Sequence, residues 1–298
     1  MKNTLRIVGK TLLFQGGILC GLLFLAWFSQ KIYASFDPVS FPQPFQMGET
    51  ASLDENARGK VLADAITHQM RYELASTFGW SANDIVFNRF VLDNRAARQY
   101  GVYHATRVFM DHYSMYIAKL GTNDRENDFL YQARLNSFAI NPRSFWFPSA
   151  EGAYKKGLKA IEKYKAGLDN GTALYNCRTD DIYSTLNLIV GENMLGHALG
   201  LLENARVLPF YELDNRIYEA QGIILVVRDV LYALYELYPD IKEKNNEDNM
   251  QAAMRYMTLV ATYNPLYMTS KLNCGELVIS YILFAKNRIE DIRNSLRI

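Results

Sequence analysis

The stretch TLLFQGGILCGLLFLAWF, residues 11–28, constrains this chain more than any other part of it, because it carries no charge and a single amide, Gln15. At 1.5 Å of rise per residue an α-helix over it covers roughly 27 Å, close to the ~30 Å hydrocarbon thickness of a bilayer. The sequence therefore predicts one transmembrane helix over residues 11–30. Lys2, Arg6 and Lys10 precede the span, Trp27 stands near its far end and Tyr33 follows. The positive-inside rule and the aromatic belt then put residues 1–10 in the cytoplasm and the bulk of the chain on the other side. A cleaved signal peptide is the competing reading, with Ile32 and Ala34 as the −3 and −1 residues of a processing site. The apolar run exceeds the roughly 7–15 residues of a signal h-region, which favours an uncleaved anchor. Cys20 follows Leu19 within the run and reads as a small apolar residue of the helix, not as a lipidation site. The Gly17-x-x-x-Gly21 spacing would let two such helices approach closely, a route to self-association.

The remaining charges exclude one class of function. Of the 32 Lys and Arg residues, Lys2, Arg6, Lys10 and Lys31 lie in a first segment that holds no acid, so beyond it the 31 acids slightly outnumber the bases. No basic stripe remains to grip a phosphate backbone, and a nucleic-acid partner is not expected. With 49% hydrophobic residues, including 20 Tyr and 16 Phe, the rest must instead bury a bulky aromatic core. Residues 31–51 interleave Pro38, Pro42 and Pro44 with Phe36, Phe41 and Phe45. Prolines so spaced bar both helix and central strand, and the phenylalanines suit an extended linker lying along a folded domain.

Residues 52–298 read as that domain, and its period is helical. Ser52-x-x-Glu55 is a capping box before Leu62, Ile66, Met70 and Leu74, predicting a helix near 53–76. Val102, Ala105, Phe109, Tyr113, Tyr116 and Leu120 form a second stripe closed by Gly121. Asn123-x-x-Glu126 opens a shorter helix ended by Asn141-Pro142, and Pro148-Ser149 starts one that runs to the turn Asp169-Asn170-Gly171. Thr179 begins a long apolar-periodic stretch toward Leu202, and Asp214 caps a helix stopped by Pro239. Asn246 opens another to Asn264-Pro265, and a last helix spans about Asn273 to Leu296. Strict period-two alternation is absent, so the prediction is all-α: a single N-terminal transmembrane helix followed by a soluble bundle of about seven or eight helices. The apolar windows 182–202 and 217–235 hold Glu192, His197, Arg228 and Asp229, charged or polar groups expensive at a bilayer centre, and are read as buried helices of the domain.

FVLDN (90–94), FWFPSAEGAYKKGLKAIEKY (145–164), LPFYELDNRIYEAQG (208–222) and LNCGELVISYILFAKNRIEDIRNSL (272–296) together resemble an uncharacterised family of bacterial envelope proteins, domain of unknown function 2333. The resemblance runs in order over most of residues 60–297. It departs at Gln221, where an arginine is expected in relatives. It implies an inner-membrane protein of Gram-negative bacteria with a periplasmic helical domain, and it implies no reaction.

The residues themselves offer little chemistry. His104 and His112 stand about 12 Å apart along one helix, and Asp111 lies about 10 Å from His104, too far to share an ion without ligands from elsewhere. His197, five residues after Glu192, does not match the zincin pattern. No metal and no cofactor is expected, and Gly196 and Gly200 read as small residues at a close helix crossing. No nucleophile elbow or phosphate loop occurs. Cys177 and Cys274 read as separate packing residues, as a disulfide across a long loop, or as a thiol near a helix start. The acidic group Glu212, Asp214 and Glu219, with Arg216 between, reads first as an N-cap at Asp214 and an intrahelical Arg216–Glu219 pair. The functional alternative makes Glu219 the raised-pKa acid of a cell-wall hydrolase or lyase; whatever the function, Asp214, Arg216, Glu219 and Gln221 are the candidate binding residues. The face of Lys155, Lys156, Lys159 and Lys163 reads as solvated. The leading expectation is a non-enzymatic envelope protein that binds or scaffolds another envelope component, or self-associates. A cell-wall enzyme and a lipid-binding module stand behind it.

Overall fold

The computed structural model describes residues 2–36, 42–48, 53–76, 78–84, 92–119, 125–244, 246–265 and 268–296, and all regular structure among them is helical. Ser52, Gly121 and Asn123 lie outside the described residues. Helix α1, Lys2–Phe36, is longer than the predicted 11–30, since no proline interrupts it before Pro38. Its stretch Lys10–Ser29 is long and apolar enough to cross a membrane, and none of that stretch is buried against the rest of the chain.

Local signals set most helix boundaries in the domain. Helix α2, Glu55–Ala75, is capped by Asp54, whose carboxylate accepts from the Ala57 amide at 2.7 Å. Helix α3, Asp93–His112, continues as a π turn over Tyr113–Ile117. The short α4, Asp128–Tyr131, takes Asn127 as its cap and also widens into a π turn, Gln132–Ser137. Helix α5, Ala150–Asp169, starts where Pro148-Ser149 predicts, with Ser149 Oγ accepting from Gly152 N at 3.2 Å.

The predicted stretch from Thr179 to Leu202 is two helices, α6, Thr179–Val190, and α7, Leu195–Leu201. The chain turns between them, with Met194 N and Gly196 N both donating to the Gly191 carbonyl. Helix α8, Phe210–Leu237, starts after Pro209, so Asp214 is not its cap; it sits in the second turn and its carboxylate accepts from its neighbour Asn215 N at 2.8 Å. Pro239 ends α8 and opens the short α9, Pro239–Glu243. Helices α10, Glu247–Ala261, and α11, Cys274–Ser295, form an antiparallel pair. Register is visible in their contacts: Asn249 meets Arg288 near one end, while Tyr256 stacks with Tyr281 and meets Phe284 at a tilt further along.

Helix α8 is the axis of the domain. From Ala220 through Leu231 every residue is buried, and α2, α3, α7 and α10 pack around it. A helix enclosed on all sides is apolar all round, which is why window 217–235 has the composition of a membrane span. The tightest packing is at the α3–α8 crossing, where Gly101 lies against the Glu219 carbonyl and Gly222 against the Arg98 carbonyl.

Candidate functional site

Glu219 sits half-buried on α8, and burial pushes its carboxyl above the usual range while Arg216 and Arg143 pull it back. Its expected partner is engaged elsewhere. Arg216 reaches one turn back, to Glu212 Oε1 at 2.6 Å from Nη2 and 3.2 Å from Nε, and donates from Nη1 to the Leu201 carbonyl at 3.3 Å. The i,i+4 spacing lays Arg216 over Glu212, so the intrahelical Arg216–Glu219 bridge gives way. Arg143 donates to the Tyr100 hydroxyl at 3.0 Å and lies over its ring. The charged groups that act on Glu219 are thus the two cations, and burial outweighs both.

Gln221, a candidate binding residue in the sequence, has its amide engaged within the protein. It is buried, and Nε2 donates to the carbonyls of Val260, Ala261 and Tyr263 at 3.0, 2.9 and 3.3 Å. One amide thus holds the C-terminal carbonyls of α10, groups that a helix leaves without internal partners. Cys177 and Cys274 are free, so no disulfide joins them. Cys177 lies by the Tyr175 and Tyr238 hydroxyls, and burial pushes its thiol up to about 11, away from reactivity. Cys274 is buried at the start of α11, beside Tyr263.

His104 and His197, distant in sequence, stack with ring centroids 4.3 Å apart, and His104 Nε2 lies 2.7 Å from the Asn193 carbonyl. Burial, then the His104 ring, lowers the His197 pKa. Of the predicted crossing glycines, Gly200 meets nothing: a Cβ there would have no neighbour within 4 Å, and one on Gly196 would meet only the local turn at Gly191.

A second polar cluster, not foreseen as a site, lies deeper. The Asp229 side chain is fully enclosed. Its Oδ2 accepts from Gln69 Nε2 at 2.6 Å and lies 2.8 Å from His68 Nδ1. Oδ1 accepts from Arg228 Nε and Nη2 at 3.2 and 3.1 Å and from the Phe45 amide at 3.2 Å. Gln69 also donates to the Gln43 carbonyl at 3.1 Å, and the Phe45 ring meets His68 edge-on at 5.5 Å. The segment 42–48 that follows α1 is therefore strapped onto the domain through one carboxylate. Beside it opens a cavity of about 460 Å³, walled by the strap, by Arg228, Asp229 and Tyr232 of α8 and by Met254, Thr258 and Ala261 of α10.

Within the domain, the loop before α5 exposes three consecutive aromatic residues. Phe145, Trp146 and Phe147 are 51%, 72% and 92% exposed, and Phe78 nearby is 44% exposed. The backbone under them is fixed: Ser144 Oγ donates to the Pro148 carbonyl at 2.7 Å and Ala150 N to the Ser144 carbonyl at 2.8 Å. From the neighbouring segment, Asn83 Nδ2 donates to Ser144 O and Trp80 Nε1 to Pro142 O, at 3.1 and 3.0 Å. A groove of about 500 Å³ adjoins the loop, lined by Phe78, Trp80, Asp84, Phe145, Glu151 and Lys155 among others.

No protein with a curated description and no solved structure matches this chain. One family model does, over residues 7–200, from the apolar helix through the aromatic loop to α7; Glu219 and the last three long helices lie beyond the matched range. On that match the chain belongs to the family described as an uncharacterised protein conserved in bacteria (DUF2333).

Proposed function

We propose that this chain is a single-pass protein of the bacterial inner membrane, N-terminus in the cytoplasm, whose periplasmic helical domain binds or scaffolds another envelope protein without catalysing a reaction. The observation that carries this reading is the aromatic triplet Phe145–Phe147, exposed on a backbone held by six hydrogen bonds within 141–150 and from 80–83. Apolar side chains held out on ordered backbone expose area that a folded monomer otherwise buries, and Trp and Phe are the residue types that anchor protein interfaces. The strap supports it too, since a domain fastened to its tether through Asp229 is held close to the anchor. The charge asymmetry about α1 supports the orientation.

A photo-crosslinking amino acid in place of Trp146, in the full chain and in living cells, tests this. The expected result is one discrete crosslinked species, a partner protein or a second copy of the chain, absent when the crosslinker replaces exposed Lys159 on α5. Crosslinking no different from Lys159 would contradict the proposal. A second reading, a cell-wall hydrolase or lyase, is favoured by one observation, the upward shift of the Glu219 carboxyl that a general acid needs.

A further inference from the structure

The cavity beside the strap has a composition unlike the rest of the surface. Pro44, Phe45, Tyr232, Met254 and Ala261 make apolar walls, and the exposed Thr258 and Thr262 stand at its mouth. Arg228 also lines it, although its side chain is only 4% exposed. A guanidinium carries five N–H donors. Arg228 directs Nε and Nη2 at Asp229, while Nη1 donates to no group among the described residues. Nη1 is not sealed off from solvent, so in the cavity it is open to water or to a ligand oxygen. Asp229 already balances the Arg228 charge, so a ligand is drawn by directed N–H groups, which favour a planar or tetrahedral oxyanion. The volume falls within the roughly 300–1,000 Å³ of small-molecule sites.

We infer that this cavity binds a single-chain amphiphile, with its acyl chain among Phe45, Tyr232 and Met254 and its head, a carboxylate or phosphate oxygen, accepting from Arg228 Nη1. The source of such a molecule is close at hand. Pro42, where the strap begins, follows Phe36, the last residue of α1, by six residues, at most about 20 Å of extended chain. That proximity rests on α1 lying in the bilayer; the cavity and its donors do not depend on it. Because the strap forms one wall, an occupant lies under the segment that fastens the domain to its anchor.

The test uses the full chain in phosphatidylcholine nanodiscs, irradiated with diazirine-bearing palmitic acid, lysophosphatidylglycerol or hexadecanol, with labelled peptides mapped by mass spectrometry. The acid or the lysolipid should label residues 42–48 and 250–262 in addition to α1, at least fivefold more than hexadecanol does there. Labelling by the acid alone assigns a carboxylate head, and by both an oxyanion in general. Thr258→Trp fills the mouth without touching the Arg228–Asp229 pair and should lower domain labelling at least tenfold while α1 labelling stays constant. Met254→Trp, checked like Thr258→Trp for unchanged helical circular dichroism, should do the same. Labelling confined to α1, equal labelling by hexadecanol, or domain labelling that survives both substitutions overturns the proposal.

Discussion

Gly101 and Gly222 are reciprocal partners across the α3–α8 crossing: a Cβ on Gly101 would stand 1.9 Å from the Glu219 carbonyl oxygen, and one on Gly222 would stand 2.1 Å from that of Arg98. Both obstacles are backbone, which no rotamer change relieves. Gly101→Ala and Gly222→Ala should therefore each destabilise the domain by about 1–3 kcal/mol or more, through forced separation of its two central helices. Gly200→Ala, on α7 with open space around it, should instead stabilise by roughly 0.5–1 kcal/mol by restricting the unfolded chain. Chemical denaturation of the three variants checks the contrast.

The strap makes a second prediction. Asp229→Ala removes the acceptor for Arg228, Gln69, His68 and the Phe45 amide together, and leaves a buried guanidinium without its counter-charge. A cost of about 3–5 kcal/mol is expected. If the folded state survives, amide exchange at Phe45 should speed up well before exchange in α8 does.

The architecture was legible in the sequence because most boundaries are local. Ser149 before α5 and Pro239 after α8 act on their own neighbours, and the structure has both boundaries where the sequence predicts them. The errors arose where tertiary structure or a nearby competitor decided. Pro209 starts α8 a turn before Asp214, and Glu212 outcompetes Glu219 for Arg216. The spacing of Gly196 and Gly200 suggests a helix crossing, whereas the close α3–α8 crossing joins Gly101 and Gly222, 121 positions apart. The Asp229 cluster draws on residues 43, 45, 68 and 69, which no spacing rule connects. Its trace in the sequence is the pair Arg228 and Asp229 inside an apolar helix, which by itself says only that the helix is not a membrane span.

Acid should destabilise the domain through His112. Burial lowers its pKa from 6.5, with Asp181 opposing. Its Nε2 lies 3.0 Å from the Thr185 hydroxyl, which donates to the Asp181 carbonyl, so the ring is held as a neutral Nε2–H donor. Because the folded pKa lies below the unfolded one, the unfolded chain binds more protons below pH 6.5. Stability is then fully present above about pH 6.5 and falls as pH drops through the folded pKa. His112→Gln should flatten this acid limb of a melting-temperature profile.

Glu219 titrates with the opposite sign. Its folded pKa lies above the ordinary 4.5, so ionisation costs the folded state stability as pH rises. Glu219→Gln should melt at or above the wild-type temperature at pH 7, with the difference closing toward pH 4. A lower melting temperature at pH 7 would show that the carboxylate makes a contact the amide cannot replace.

The most direct measurement of the account as a whole compares two full-length variants in a strain lacking the gene: Glu219→Gln, and Trp146→Ser combined with Phe147→Ser. The aromatic side chains are exposed, so their loss should leave helical content and melting temperature nearly unchanged. A binding protein that docks through this loop predicts full rescue of the deletion phenotype by Glu219→Gln and none by the double variant. Rescue by the double variant, together with failure of a well-folded Glu219→Gln, would contradict the account and make the Glu219 carboxyl the working group.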